Sequence, residues 1–370
     1  MGILARIVSF LFVVQAVSGC RPAARGPIAA FAAGGFGGGS TSKANSSKSK
    51  RKKRKGGIEE LGPVNIPKIA EPQLDRWGLP PPTSDDIFPP MPLGTELVAA
   101  SKENHSLQEV SDALKDHIYL QLDHFDDNGV EKNVPAGRAP MKLHLLHQSP
   151  PVMAIENYFT TEECLRVQEV AVPPANRNDS DKELESVQID SKTFSPLAQS
   201  KRTSTSWFCH YAQLPTLLAK TNHMLGIPLD QIEEPQIVRY KTGQEFSWHY
   251  DEVPRAQLEN GGQRLATLLI YLNTVPGGGG GTVFRDLKDR DGNVLTIQPV
   301  QGSALLFFPA YADGKPDDRT LHKGEVARDE KWVMQIWTHE RSYQSAVPLG
   351  NSQQAAFSAV DQVSRDLGYL

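Results

Sequence analysis

The sequence predicts an α+β fold, a double-stranded β-helix (jelly-roll) core with supporting helices on its N-terminal side. Three observations carry this expectation. Helical periodicities come first, between residues 106 and 225. A run of short apolar or alternating segments follows, at 236–240, 265–272, 282–284, 294–298, 304–308 and 332–337. Turn formers punctuate that run: Gly261-Gly262, residues 276–281, Asp291-Gly292 and Asp313-Gly314. Helices followed by closely spaced strands and turns are the order of an α+β domain with an antiparallel double sheet.

From the N-terminus, residues 1–6 are short and weakly basic, 7–17 are apolar, and the small residues Ser18 and Gly19 follow. An apolar run of 11 residues covers about half of a bilayer core, so 1–19 reads as a cleaved signal peptide and no stable membrane span is expected. Ala29-Ala30-Phe31-Ala32, ahead of a Gly-rich and then a Ser/Lys/Arg tract, resembles the bipartite presequence that sends proteins into the complex plastids of algae. On that reading the targeting segment extends to about residue 30. The expected location is the lumen of the endoplasmic reticulum, with the complex plastid as the alternative. Residues 20–105 are expected to be a disordered linker. They contain the basic block 50–55 and the proline-rich stretch 63–92, and neither composition can bury a core.

Residues 106–149 form the N-terminal support. Leu107, Val110, Leu114, Ile118 and Leu122 recur at helical spacing, and 142–155 is strand material broken by Pro150-Pro151. The main domain is expected over 150–341. Thr160 or Thr161 caps a helix with Glu162 and Glu163 in its first turn and Leu165 and Val170 facing inward. The polar stretch 173–204 reads as an insertion or flexible loop with a short helix. Another helix covers 214–225 and is ended by Gly226-Ile227-Pro228. Residues 342–370 read as a C-terminal tail.

Composition limits the function classes. The 39 basic and 43 acidic side chains leave a net charge of -4, without the basic excess of a nucleic-acid-binding domain. The three cysteines, Cys20, Cys164 and Cys209, include no CxxC pair, so no zinc ribbon or thioredoxin-like site is present. Cys164 and Cys209 are either a disulfide pair or two buried thiols.

The chemistry-bearing residues centre on Trp248-His249-Tyr250-Asp251. Residues i and i+2 of a strand share a face, so His249 and Asp251 can serve one ion. His322 follows the apolar strand 304–308 and offers a third ligand. Two histidines and one carboxylate leave three coordination positions open, the arrangement of non-haem iron(II) oxygenases. An HxD pair alone is a weak signal, more often a chance pair in a polar loop. Lys331 heads the apolar segment Lys331-Trp332-Val333-Met334-Gln335-Ile336-Trp337. Pointing inward it would be costly without an anion; pointing outward it would be a snorkelling surface lysine.

These residues sit in a longer pattern. Tyr240-Lys241-Thr242-Gly243-Gln244-Glu245-Phe246-Ser247-Trp248-His249-Tyr250-Asp251 is followed by Arg264-Leu265-Ala266-Thr267-Leu268-Leu269-Ile270-Tyr271-Leu272, then a glycine run with Thr282-Val283-Phe284. Gly302-Ser303-Ala304-Leu305-Leu306-Phe307-Phe308, His322 and Lys331-Trp332 complete it. Upstream stand Ile155-Glu156-Asn157-Tyr158-Phe159-Thr160, Glu163-Cys164 and Arg202-Thr203-Ser204. In order and spacing this resembles the catalytic domain of prolyl 4-hydroxylases, of the α-subunit-like, Fe(II)/2-oxoglutarate-dependent dioxygenase kind.

The resemblance implies that His249, Asp251 and His322 bind Fe(II) and that Lys331 binds the 5-carboxylate of 2-oxoglutarate. It implies that Tyr240 and Thr282 assist that carboxylate, that Trp337 lines the same pocket, and that Arg264 and His339 meet a peptide substrate. The bland readings of the last two are a surface arginine at a loop edge and an exposed terminal histidine. Implied co-reactants are O2 and, to keep the iron reduced, L-ascorbate. The implied reaction hydroxylates peptidyl proline in a proline-rich or other peptide and releases succinate and CO2. Alternatives are the same chemistry on a free amino acid or another side chain, and a non-catalytic binding module on the same fold.

Two positions depart from the family. Phe246 stands where tyrosine is common, so any contact made by that hydroxyl is missing here. The spacing from His322 to Lys331 is one residue shorter, which a loop can absorb. The sequence leaves the oligomeric state open.

Overall fold

Two helices begin on sequence signals that close locally. In the computed structural model α1 (Leu107–Leu114) starts at Ser106, whose hydroxyl accepts from Glu109 N while the Glu109 carboxylate accepts from Ser106 N. α2 (Thr161–Ala171) repeats the arrangement with Thr160 and Glu163. Each box satisfies two backbone donors that a helix start leaves free, a gain of about 1 kcal/mol. The structure describes residues 105–134, 136–172, 187–190, 202–344 and 352–370. The readings of signal peptide, presequence and linker therefore lie outside the described residues.

Three local expectations are corrected. α1 stops at Leu114, and Leu122 is buried through a separate short 3-10 turn (Leu122–His124) rather than through a continuing helix. In α2 the inward stripe is Cys164, Val167 and Ala171, whereas Leu165 is 50% exposed. The 3.6-residue period puts 164, 167 and 171 on one side and turns Leu165 about 100° away. Within the polar stretch 173–204, Val187–Asp190 is a strand, and the short helix expected there falls on residues outside the described ones.

α3 (Pro215–Leu225) has proline in its first turn and ends on Gly226 at φ +62°. That left-handed conformation suits glycine, and a Cβ there would collide with the Gln121 side chain. The segment read as a tail holds α4 (Ser352–Asp366), which packs on α3. Ala356 and Val360 are buried, one helical turn apart.

The strands among the described residues form two antiparallel sheets. β1 (Lys142–Gln148), β2 (Pro151–Glu156), β3 (Val187–Asp190), β4 (Thr205–Phe208), β5 (Gln236–Tyr240), β7 (Arg264–Tyr271), β10 (Ala304–Phe307) and β12 (Lys331–His339) make the larger one. Its order is β1-β2-β10-β7-β12-β5-β4-β3. The smaller sheet, of order β6-β11-β8-β9, holds β6 (Phe246–His249), β8 (Thr282–Lys288), β9 (Val294–Ile297) and β11 (His322–Gly324). β1 and β2 form a hairpin, so the boundary drawn at 149/150 runs through a continuous piece of sheet.

β7 is buried along its whole length, which is why Leu268–Tyr271 reads as an apolar run without alternation. Alternate residues Ala266, Leu268 and Ile270, with Met334 and Ile336 of β12, pack in one core with α1, α2, α3 and α4. The residues between them, Leu269 and Tyr271 with Val333 of β12, pack against Phe284, Leu287 and Leu295 of the small sheet. Each fully buried large apolar side chain contributes about 1.5–3 kcal/mol. The same alternation decides which β12 residues look into the space between the sheets, namely Lys331, Val333, Gln335, Trp337 and His339. An antiparallel double-sheet core with helices on one side is consistent with a jelly roll.

Candidate metal centre

His249 and His322 arrive on adjacent strands and are register partners across β6 and β11. Asp251 follows His249 by two residues, just past the end of β6. Its Oδ1 lies 3.7 Å from His249 Nε2 and its Oδ2 3.9 Å from His322 Nε2. One donor atom from each of the three lies within 4.8 Å of the others, and this is the only such group of three or more among the described residues. Nδ1 of His249 faces the Ser247 carbonyl at 2.8 Å, and Nδ1 of His322 faces the Thr320 carbonyl at 2.9 Å. A carbonyl can only accept, so each Nδ1 carries the proton and each Nε2 presents its lone pair to the shared space.

The charges favour a cation. Burial, joined by the neighbouring His322, lowers the His249 imidazole to about 3, so it is neutral. Burial alone would raise the Asp251 carboxyl, but His322, His249 and Arg264, with the Thr267 hydroxyl, hold it below its ordinary range. Thr267 Oγ1 donates to Asp251 Oδ2 at 2.8 Å, tying the carboxylate to β7 of the other sheet. Two imidazoles and one carboxylate on a single face, each oriented by a second partner, fit Fe(II).

Lys331 opens β12 directly opposite Tyr240 of β5. It is 3% exposed and has no ion-pair partner among the described residues. Its Nζ lies 5.1 Å from the Tyr240 ring centre and 5.8 Å from that of Tyr271. A Cβ built on Gly324, two residues after His322, would come within 3.9 Å of the same Nζ. Burial pushes Lys331 down to about 8, and Glu325 partly offsets this. A buried ammonium without a carboxylate is a receptor for one. The surface-lysine reading is thereby excluded.

Tyr271 Oη and Thr282 Oγ1 are 2.9 Å apart, and burial raises the Tyr240 phenol. Trp337, opposite Thr267 in the register, is 2% exposed with its Nε1 unpartnered. Arg264 and His339 are neither a loop-edge arginine nor an exposed histidine, being 1% and 2% exposed. Their polar ends meet on Glu233, which accepts from Arg264 Nε at 2.6 Å and Nη2 at 2.8 Å and pairs with His339 Nε2 at 2.6 Å. Arg264 also donates to the Asp251 carbonyl at 3.2 Å and lies 3.9 Å over the Trp337 ring. A peptide would reach either group only if that cluster opened.

Sequence reasoning missed Glu233, Thr267, Tyr271 and Arg202. Thr267 and Tyr271 were readable, since period two in β7 turns both inward. Glu233 carries no local signal, being defined by contacts 31 and 106 residues away, whereas Arg202 is held mainly by its sequence neighbours Ser204 and Ser206. Cys164 and Cys209 are both free and buried, and burial raises each thiol.

The two-sheet core and its centre define an iron- and 2-oxoglutarate-dependent oxygenase. A family model of the 2OG-Fe(II) oxygenase superfamily matches residues 235–339, the span from β5 to the end of β12. Probable prolyl 4-hydroxylase 7 of Arabidopsis thaliana is 31% identical over 229 residues, 57% of this chain and 69% of its own. Probable prolyl 4-hydroxylase 3 of the same plant is 29% identical over 243 residues, 60% of this chain and 82% of its own. Among solved structures, the viral collagen prolyl hydroxylase of Paramecium Bursaria Chlorella virus-1 in its 2OG complex is 26% identical, covering 50% of this chain and 94% of its own. Its TM-score is 0.38. The chain belongs to the prolyl 4-hydroxylase family of 2OG-Fe(II) oxygenases and is a 2-oxoglutarate-dependent dioxygenase. No helix among the described residues is long and apolar enough to cross a membrane.

Proposed function

We propose that this enzyme hydroxylates proline in a peptide, on a double-stranded β-helix in which His249, Asp251 and His322 hold Fe(II). The observation that carries the reading is the pairing of that triad with a buried Lys331 on the facing sheet, which forms no ion pair among the described residues. When bound, iron and 2-oxoglutarate supply the oxidising power, dividing O2 between the substrate and a co-substrate that leaves as succinate and CO2.

The protein's part is to bind, orient and exclude water. Lys331 neutralises the distal carboxylate, Tyr240 and the Tyr271–Thr282 hydroxyl pair offer it hydrogen bonds, and Trp337 walls the pocket. Asp251 supplies the one anionic ligand, and Thr267 limits its rotation. Ascorbate serves as the reductant that restores oxidised iron. The Glu233 cluster stiffens the wall from which a peptide is approached. A second reading keeps this chemistry and changes the substrate; it rests on Phe246, which provides no hydroxyl. The signal-peptide reading of residues 1–19 proposes the lumen of the endoplasmic reticulum as the location and the bipartite-presequence reading the complex plastid, and fractionation of cells expressing the full chain distinguishes them.

Succinate release by the full chain with Fe(II) and ascorbate, with and without poly-proline peptide, is the test. Peptide-stimulated turnover that disappears in His249→Ala is expected. Turnover indifferent to the peptide would move the proposal to another substrate, and none from an iron-loaded, folded sample would overturn it.

A further inference from the structure

β6 contains one residue more than the strand it pairs with. Between the pairs His322↔His249 and Gly324↔Phe246, β11 takes two steps (322 to 324) and β6 takes three (246 to 249). That is a β-bulge, and it breaks the alternation of a strand, so residues three apart come to one side. Phe246 consequently lies flat on the His249 imidazole, with ring centres 3.6 Å apart and planes at 14°. The bulge also brings the Ser247 carbonyl to His249 Nδ1.

Phe246 is itself held. It forms an isolated bridge with Arg202, whose guanidinium carbon lies 5.0 Å from the Phe246 ring centre. Arg202 is 1% exposed and fixed by Ser204 and Ser206 at 2.9 and 2.6 Å and by Gln236 at 3.4 Å. It has no carboxylate partner among the described residues; neutral oxygens hold its nitrogens, and its carbon lies within cation–π range of the Phe246 ring.

We propose that Phe246, placed by the bulge and backed by Arg202, is a positioning residue for the metal, holding the His249 imidazole in the plane from which Nε2 meets the ion. The inference rests on the metal reading above. A hydrogen bond at Nδ1 selects the tautomer but leaves the ring free to swing about its Cβ–Cγ bond, a broad two-fold torsion. A flat ring at van der Waals distance removes that swing before the ion arrives, so ordering is complete on folding and does not weaken binding. The role belongs to the aromatic face. A hydroxyl adds nothing to it, and phenylalanine here is a working choice.

The test is Co(II) titration of the full chain, followed by its d–d absorption, with NMR of the His249 ring protons in the metal-free protein. Phe246→Leu is expected to weaken Co(II) binding about tenfold or more, as lost outer-sphere support does at metal sites. It should also move the absorption band and release the His249 protons from the ring current of Phe246. Phe246→Tyr should restore all three, and Phe246→Met, closer in length, stands in should the leucine variant not fold. A folded leucine or methionine variant with wild-type Co(II) affinity and an unchanged band overturns the proposal. A wild-type chain that takes up no Co(II), or a His249→Ala variant that binds it equally well, overturns the metal reading itself and so separates the two failures.

Discussion

Replacing Glu233 with glutamine should cost this enzyme roughly 3 kcal/mol of stability. The side chain is 1% exposed and accepts three contacts of 2.6–2.8 Å from Arg264 and His339. Burial alone would raise its carboxyl, yet Arg264 and His339 draw it from an ordinary 4.5 down to about 2. At about 1.4 kcal/mol per unit, that drop is worth roughly 3 kcal/mol. Removing one partner of a buried ion pair costs about 3–5 kcal/mol by an independent route, because the other charge is stranded. The two figures agree. Since the folded-state value is depressed, the contribution is complete above the unfolded value near 4.5 and disappears as pH falls toward 2. Urea unfolding of the full chain at pH 7, and again at steps down to about pH 3, measures both parts. The wild type should lose roughly half of its advantage over Glu233→Gln by about pH 3, and Glu233→Gln/Arg264→Met should recover part of the loss by removing the stranded charge. A cost below about 1 kcal/mol at pH 7, or a difference that does not change with pH, would refute the reasoning.

Other consequences follow from the same geometry. Lys331→Met should raise KM for 2-oxoglutarate at least tenfold by deleting a charge-assisted contact of about 1.5–3 kcal/mol. In the wild type the same KM should be flat below pH 8 and rise about tenfold per unit above it as the ammonium, held at about 8, loses its proton; a flat profile to pH 9.5 would remove Lys331 from the role. Gly280 has φ +68°, and a Cβ there would stand 3.1 Å from Lys331 Cδ. Gly280→Ala should therefore destabilise by about 1–2 kcal/mol and weaken 2-oxoglutarate binding, read by calorimetry and by KM. Removing residues 345–370 uncovers the core face covered by Ala356 and Val360; the truncated chain should unfold several degrees lower in a thermal melt.

Sequence alone determined the two helix starts, since capping boxes are local: Ser106 with Glu109, Thr160 with Glu163. It determined the central strands, because period two and apolar runs reflect burial residue by residue. It also marked the candidates for the centre, His249 and Asp251 by strand alternation and His322 and Lys331 through the resemblance to prolyl 4-hydroxylases. Tertiary structure decided the rest. The stripe of α2 depends on which side meets the sheet, and α4 was legible as Ala356, Val360, Val363 and Leu367 only once a face existed for them to cover. Whether Lys331 points inward, whether Arg264 and His339 meet solvent or Glu233, and whether Phe246 shares a side with His249 are settled by strand register. A single extra residue in β6 reverses that register, and no local propensity encodes it, because pairing energy comes from partners dozens of residues away.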